Sequence, residues 1–191
     1  MNSDENNQNV AVGYRAMANL TTGVQNTAIG NEAMGTGVTT GDKNVAIGDD
    51  AGLNITDGGS NVLIGAGAGD AITGGDRNIA IGDGALSTED TGGRSIAIGY
   101  SALSAQNYGT DNYNVAIGYQ AGYAVTSGVK NTLIGAAAGD ALTTGSNNTA
   151  IGYFALSGED GNGNNTAIGY ETLKAQNAGA DAYNVAVGHQ A

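Results

Sequence analysis

Cysteine, proline and tryptophan are missing from this 191-residue sequence, and phenylalanine and histidine occur once each. The lack of Cys removes disulfides and thiolate metal ligands together. Glycine is abundant at 34 residues, but the every-third-residue period and the accompanying Pro of a collagen triple helix are absent. The single His189 has no second imidazole to work with, so it reads as a surface residue, neither a catalytic base nor a metal ligand. Basic residues are scarce as well: six Lys and Arg against eighteen Asp and Glu leave a net charge of −12. That sign repels nucleic-acid phosphates and anionic lipid, and favours solubility or a cationic partner. No stretch approaches the ~20 apolar residues of a membrane helix, so this segment is not expected to insert into a bilayer. Met1 to Gln8 is polar and does not look like a signal peptide. No Ser sits in a nucleophile elbow, and Gly65-Ala66-Gly67-Ala68-Gly69 lacks the following helix that a phosphate loop needs. Neither an enzyme, nor a cofactor, nor a metal site is expected.

What the chain does contain is one phrase, repeated. Asn9-Val10-Ala11-Val12-Gly13 returns, with small changes, at Asn26, Asn44, Asn61, Asn78, Ser95, Asn114, Asn131, Asn148, Asn165 and Asn184, in steps of 17, 18 or 19 residues. Fixed-period self-similarity sets the architecture before any other reading. Residues 1–8 form a polar lead-in and residues 9–191 a single array, in which stability comes from neighbouring units and not from one central core. The array stops partway through a repeat, at Asn184 to Ala191, which reads as a segment of a longer protein.

We number each repeat from its Asn as position 1. Positions 2 and 4 carry Val, Ile or Thr, position 3 Ala or Leu, and position 5 Gly in every copy. Short β-branched runs bounded by Gly read as strands whose side chains alternate between faces. The invariant Gly marks a backbone corner at positive φ. Positions 9 and 12 trade volume, although Met17/Leu20 and Met34/Gly37 at the start do not follow the rule cleanly. Gly52, Gly69, Gly122 and Gly139 accompany Ile55, Ile72, Val125 and Leu142, whereas Leu86, Leu103, Leu156 and Leu173 accompany Glu89, Gln106, Glu159 and Gln176. That is volume conservation in a narrow core. Repeat ends rich in Gly, Asn, Asp and Ser read as turns. One strand-and-turn coil of about 17 residues, stacked parallel, gives an all-β solenoid.

A period of 70 residues lies above the short one: Asn61-Val62-Leu63-Ile64-Gly65 matches Asn131-Thr132-Leu133-Ile134-Gly135. Each block of four coils ends in a 19-residue coil, whose extra residues fall in 107–113 and 177–183. Insertions of this kind go to loops on one face, often the working face.

With Val and Ile of positions 2 and 4 turned inward, position 3 would face outward. Ala28, Ala46, Leu63, Ala80, Ala97, Ala116, Leu133, Ala150 and Ala167 are therefore the expected subunit interface. Stacked at ~4.8 Å per coil they form an apolar stripe roughly 50 Å tall, longer than soluble monomers leave exposed. Parallel copies about a rotation axis would bury it.

The phrase in Ser95-Ile96-Ala97-Ile98-Gly99 and Asn114-Val115-Ala116-Ile117-Gly118 resembles the head repeat of YadA-like trimeric autotransporter adhesins. The longer form, Asn148-Thr149-Ala150-Ile151-Gly152-Tyr153-Phe154-Ala155-Leu156, is similar to repeats of phage tail-fibre proteins. The resemblance covers Asn9 to Ala191. It implies a left-handed parallel β-roll, a homotrimer, and an adhesive role outside the cell, on a cell surface or on a virion. The repeats here are longer than those of the adhesin heads, and neck, stalk and anchor are absent.

Among candidate contacts, Tyr108, Asp111, Asn112 and Tyr113 in the first long loop, with Asp181 and Tyr183 in the second, combine aromatic and carboxylate groups suited to a host-surface receptor or glycan. The bland reading is a spacer loop that adjusts twist. Tyr14, Tyr100, Tyr119, Tyr153 and Tyr170 share position 6, where they would stack or offer a sugar- or protein-binding platform. The position-1 Asn side chains are expected to form an amide ladder. An alternative class is a monomeric solenoid that binds an ordered solid such as ice. Thr21, Thr56, Thr73, Thr126 and Thr143 share position 13, but Asp90, Asn107, Asp160 and Asn177 interrupt the grid.

Overall fold

Three consecutive residues per coil, β-branched at both ends, are enough for a strand once the coil above and the coil below supply its hydrogen bonds. The computed structural model of the chain describes residues 7–158, 161–176 and 183–191. Its strands are β1 (Val10–Val12), β2 (Thr27–Ile29), β3 (Val45–Ile47), β4 (Val62–Ile64), β5 (Ile79–Ile81), β6 (Ile96–Ile98), β7 (Val115–Ile117), β8 (Thr132–Ile134), β9 (Thr149–Ile151), β10 (Thr166–Ile168) and β11 (Val185–Val187). They form one parallel sheet in chain order, each in register with the next, so that Ala97 lies beside Ala116 and Ala116 beside Leu133. Each step from strand to strand is one turn of a β-solenoid, and no helix occurs among the described residues.

The ladder continues past the strands. The N–H of Val45 donates to Asn61 O in the following coil at 2.8 Å, and that of Gly48 to Ile29 O in the preceding one at 2.8 Å. The Gly at position 5 turns the corner with φ between 130° and 143°. Beyond it the chain enters left-handed geometry at positions 7 and 9 and again just before each Asn, as at Ser101 (φ 50°), Leu103 (φ 49°) and Lys130 (φ 60°). For residues with a Cβ this costs about 1–2 kcal/mol each. Inter-coil bonds hold them there: Leu103 N–H donates to Ala121 O at 3.1 Å and Lys130 N–H to Asn112 O at 2.8 Å.

The faces of the strand are reversed relative to the sequence expectation. Ala28, Ala46, Leu63, Ala80, Ala97, Ala116, Leu133, Ala150 and Ala167 are all fully buried, inside their own chain's core. They cannot meet a sister chain. The reason is volume. Position 3 packs in a thin interior beside the buried position-8 alanines, such as Ala102 and Ala121, and the residues of positions 9 and 12. A β-branched side chain on every layer would overfill that space. Leu fits at position 3 only where position 9 is Gly. A Cβ on Gly52 would meet Leu63 Cδ1 at 2.8 Å, and one on Gly69 would meet Leu63 Cδ2 at 2.8 Å. Leu133 stands in the same relation to Gly122 and Gly139. Val and Ile of positions 2 and 4 therefore point outward, half-buried or exposed along the whole sheet.

Candidate functional site

The Asn of position 1 is a structural ladder. Asn44 Oδ1 accepts the N–H of Asn61 at 3.0 Å, and Asn61 Oδ1 that of Asn78 at 2.8 Å. The Nδ2 groups donate across the coil to turn carbonyls, Asn44 to Gly58 O at 2.8 Å and Asn78 to Gly92 O at 2.9 Å. Ser95 breaks the series, and Gln106 fills the vacancy: its Nε2 donates to Ser95 Oγ at 3.0 Å, while its Oε1 accepts from Asn114 Nδ2 at 2.8 Å.

Glu89 is the charged centre of that buried network. Its carboxylate accepts the N–H of Gly92 (2.8 Å), Gln106 Nε2 (2.9 Å) and Asn112 Nδ2 (2.8 Å). Burial raises its pKa above the usual carboxylate range, outweighing those donors. Burial also raises Asp70 and Asp140, equivalent residues of the two 70-residue blocks. An acid raised in the folded state binds protons more tightly there than when unfolded. Its contribution to stability is full below the unfolded pKa and is lost as pH rises through the folded one. The melting temperature is therefore expected to rise on acidification from pH ~7 to ~5, the slope growing with each raised carboxyl. Differential scanning calorimetry across that range checks the sign. No change would mean that the native-state carboxyls titrate normally, and a fall that they titrate lower.

This network also corrects one candidate contact. Asn112 is not on the surface. It is fully buried, donates to Glu89, and fastens the long 107–113 loop to the core. Tyr108, Asp111 and Tyr113 are exposed, and Tyr183 is exposed beside β11. Asp181 lies outside the described residues. Asp111 and Tyr113 converge on Arg94, which the sequence reading passed over. The Arg94 guanidinium pairs with Asp111, donates to Tyr113 Oη at 2.6 Å, and lies 5.6 Å from the Tyr113 ring centroid. Its pKa is raised, first by the hydrogen bond to Tyr113 and then by the Asp111 charge. The signal for Arg94 was available, because Lys43, Arg77, Arg94 and Lys130 all stand in the left-handed position just before the repeat's first residue. Most of the basic residues thus share one column of an acidic protein.

Three further surfaces run along the rod. One is the outward sheet face, where Ile117 of β7 is 37% exposed and its neighbours of positions 2 and 4 continue the apolar strip. The second is the position-6 column. Tyr100 stacks on Tyr119 at 5.4 Å, Tyr153 on Tyr170 at 5.5 Å, and Tyr170 on His189 at 4.9 Å. The third is the Thr column. Thr56 Oγ1 donates to Thr73 O at 3.1 Å and Thr126 Oγ1 to Thr143 O at 3.2 Å, so these hydroxyls stitch coil to coil. No protein-family model, no curated protein and no solved structure matches this chain.

Proposed function

We propose that the chain is a structural and adhesive, non-enzymatic segment of a trimeric surface fibre, from a phage tail or a bacterial adhesin head. Three copies wind as left-handed rolls about one axis and present contact residues to a host receptor or glycan, outside the cell or on a virion. The observation that carries this reading is the outward face of β1–β11, where position 4 is Val or Ile on every strand and position 2 is Val, Ile or Thr, on a protein with net charge −12. Soluble monomers leave only a few hundred Å² of contiguous apolar surface in water. A strip repeating identically up the rod fits another copy of itself in the same register, and closed cyclic symmetry limits the assembly. Threefold repetition then multiplies weak contacts into useful avidity.

Light scattering after gel filtration tests this directly. The expected mass is three times the 18.8 kDa of one chain, in an elongated particle. Ile98→Glu combined with Ile117→Glu places carboxylates on adjacent outward positions. This double variant is expected to weaken assembly more than ~100-fold by lost apolar burial and like-charge repulsion, while the far-UV circular dichroism of the roll is kept. A monodisperse wild-type monomer would overturn the trimer.

A further inference from the structure

Between Tyr100 and Tyr170 the tyrosine column is interrupted at one coil, and we infer that the gap is a binding notch for a single pyranose ring of a glycan. The coil that begins at Asn131 carries Ala136 and Ala137 where the preceding coil has Tyr119 and Gln120 and the following one Tyr153 and Phe154. The three coils are in register: Ala137 N–H donates to Tyr119 O at 2.9 Å, and Phe154 N–H to Ala136 O at 3.1 Å. Tyr119 has one ring face covered by Tyr100, nearly parallel at 10°, and Tyr153 has one covered by Tyr170 at 22°. The opposite face of each ring is turned toward the coil of half-buried Ala136 and buried Ala137, and the two tyrosines are 56% and 47% exposed.

The dimensions select the occupant. Two coil steps separate the rings by about 10 Å, and a pyranose chair touching both walls needs about 8–9 Å between them. The Phe154 ring is perpendicular to that of Tyr153, 4.5 Å between centroids at 87°, and bounds the notch on that side. Lys174 Nζ sits 5.0 Å from the far-side Phe154 ring and helps hold it in place. Polar groups lie at the rim, where a sugar has its hydroxyls: the Gln120 amide, which has no side-chain hydrogen bond among the described residues, and the hydroxyls of Tyr119 and Tyr153. An aromatic wall matches the C–H face of a sugar, and a net charge of −12 disfavours a nucleotide for the same slot. The equivalent gap of the first block, Ala66 and Gly67, is flanked by Asp49, Asp50 and Asp83 and has no aromatic wall. The notch is therefore particular to one coil. It deepens the adhesive reading above, and its biological role rests on that reading.

Saturation-transfer NMR on the full chain, with the methyl β-glycosides of glucose, galactose and N-acetylglucosamine at ~10 mM each, reads the site. At least one is expected to show transfer centred on its ring C–H protons, with Kd about 1 mM. Ala136→Tyr fills the gap with the residue that five other coils carry there, so the fold accepts it, and binding should weaken at least ~10-fold. Tyr153→Ala removes one wall and should do the same. No transfer from any glycoside to the wild-type chain, or transfer unchanged in Ala136→Tyr, overturns the assignment. Mass measured on the same samples separates the two proposals. A trimer without glycoside transfer removes the notch and leaves the fibre, whereas a monomer whose transfer is lost in Ala136→Tyr removes the fibre and leaves the notch.

Discussion

Gly118→Val is expected to destabilise the roll by at least ~3 kcal/mol, the combined effect of a strained backbone and an overpacked contact. Gly118 turns its corner at φ +143°, where a β-branched residue is strongly disfavoured. A Cβ there would also stand 2.6 Å from the Gly135 carbonyl carbon of the next coil, and backbone cannot give way without parting the ladder. Thermal or denaturant unfolding reads the loss. Gly67→Asn is the control. Gly67 has φ +60°, a Cβ there would meet nothing nearer than Asp70 Oδ2 at 3.9 Å, and other coils carry Arg15, Glu32 or Phe154 at this position. Its expected effect is under ~1 kcal/mol. If both variants lose stability alike, or neither does, crowding at the corner is not what requires Gly.

Ala116→Glu carries the second large effect, and its form matters as much as its size. Ala116 is fully buried in its own chain between Ala97 and Leu133. A carboxylate there has no partner and no room, and removing such a charge from water costs about 3–5 kcal/mol or more. The expected result is local unfolding of the central coils, visible as lost circular dichroism and raised protease sensitivity. The outward pair Ile98→Glu and Ile117→Glu should do the opposite, breaking assembly while the coils stay folded. A folded, monomeric Ala116→Glu would restore position 3 to the subunit interface and exchange the roles of the two faces.

That contrast shows what could be read from the sequence and what could not. Period, strands, Gly corners, the amide ladder and the exchange between positions 9 and 12 were all legible, because each is a local rule that recurs from coil to coil. Alternation alone says which residues share a face, but not which face is wet. Habit assigns larger apolar side chains to the inside, and a roll this thin defeats the habit. One signal did point the right way. Leu replaces Ala at position 3 only in Leu63 and Leu133, the two coils where position 9 is Gly both in the same coil and in the one before. Side chains that compensate each other's volume must touch, so position 3 belonged with position 9 in the core. Asn112 departs from expectation for a related reason: a polar residue in a long loop reads as exposed, although Glu89 at an inward position needs buried donors. The left-handed turns at residues such as Leu103 and Phe154 had no signature at all. Their geometry is imposed by the neighbouring coils and not by the residues themselves.

Because each strand pairs only with the one before and the one after, no coil depends on a distant part of the chain. Joining Tyr113 directly to Asn184, or repeating residues 44–113, would preserve every column in phase and leave the cross-section unchanged. Reach can thus be lengthened or shortened by recombination between blocks of equal length and matching phase, in increments of about 19 Å for four coils, without inventing a single new fold element.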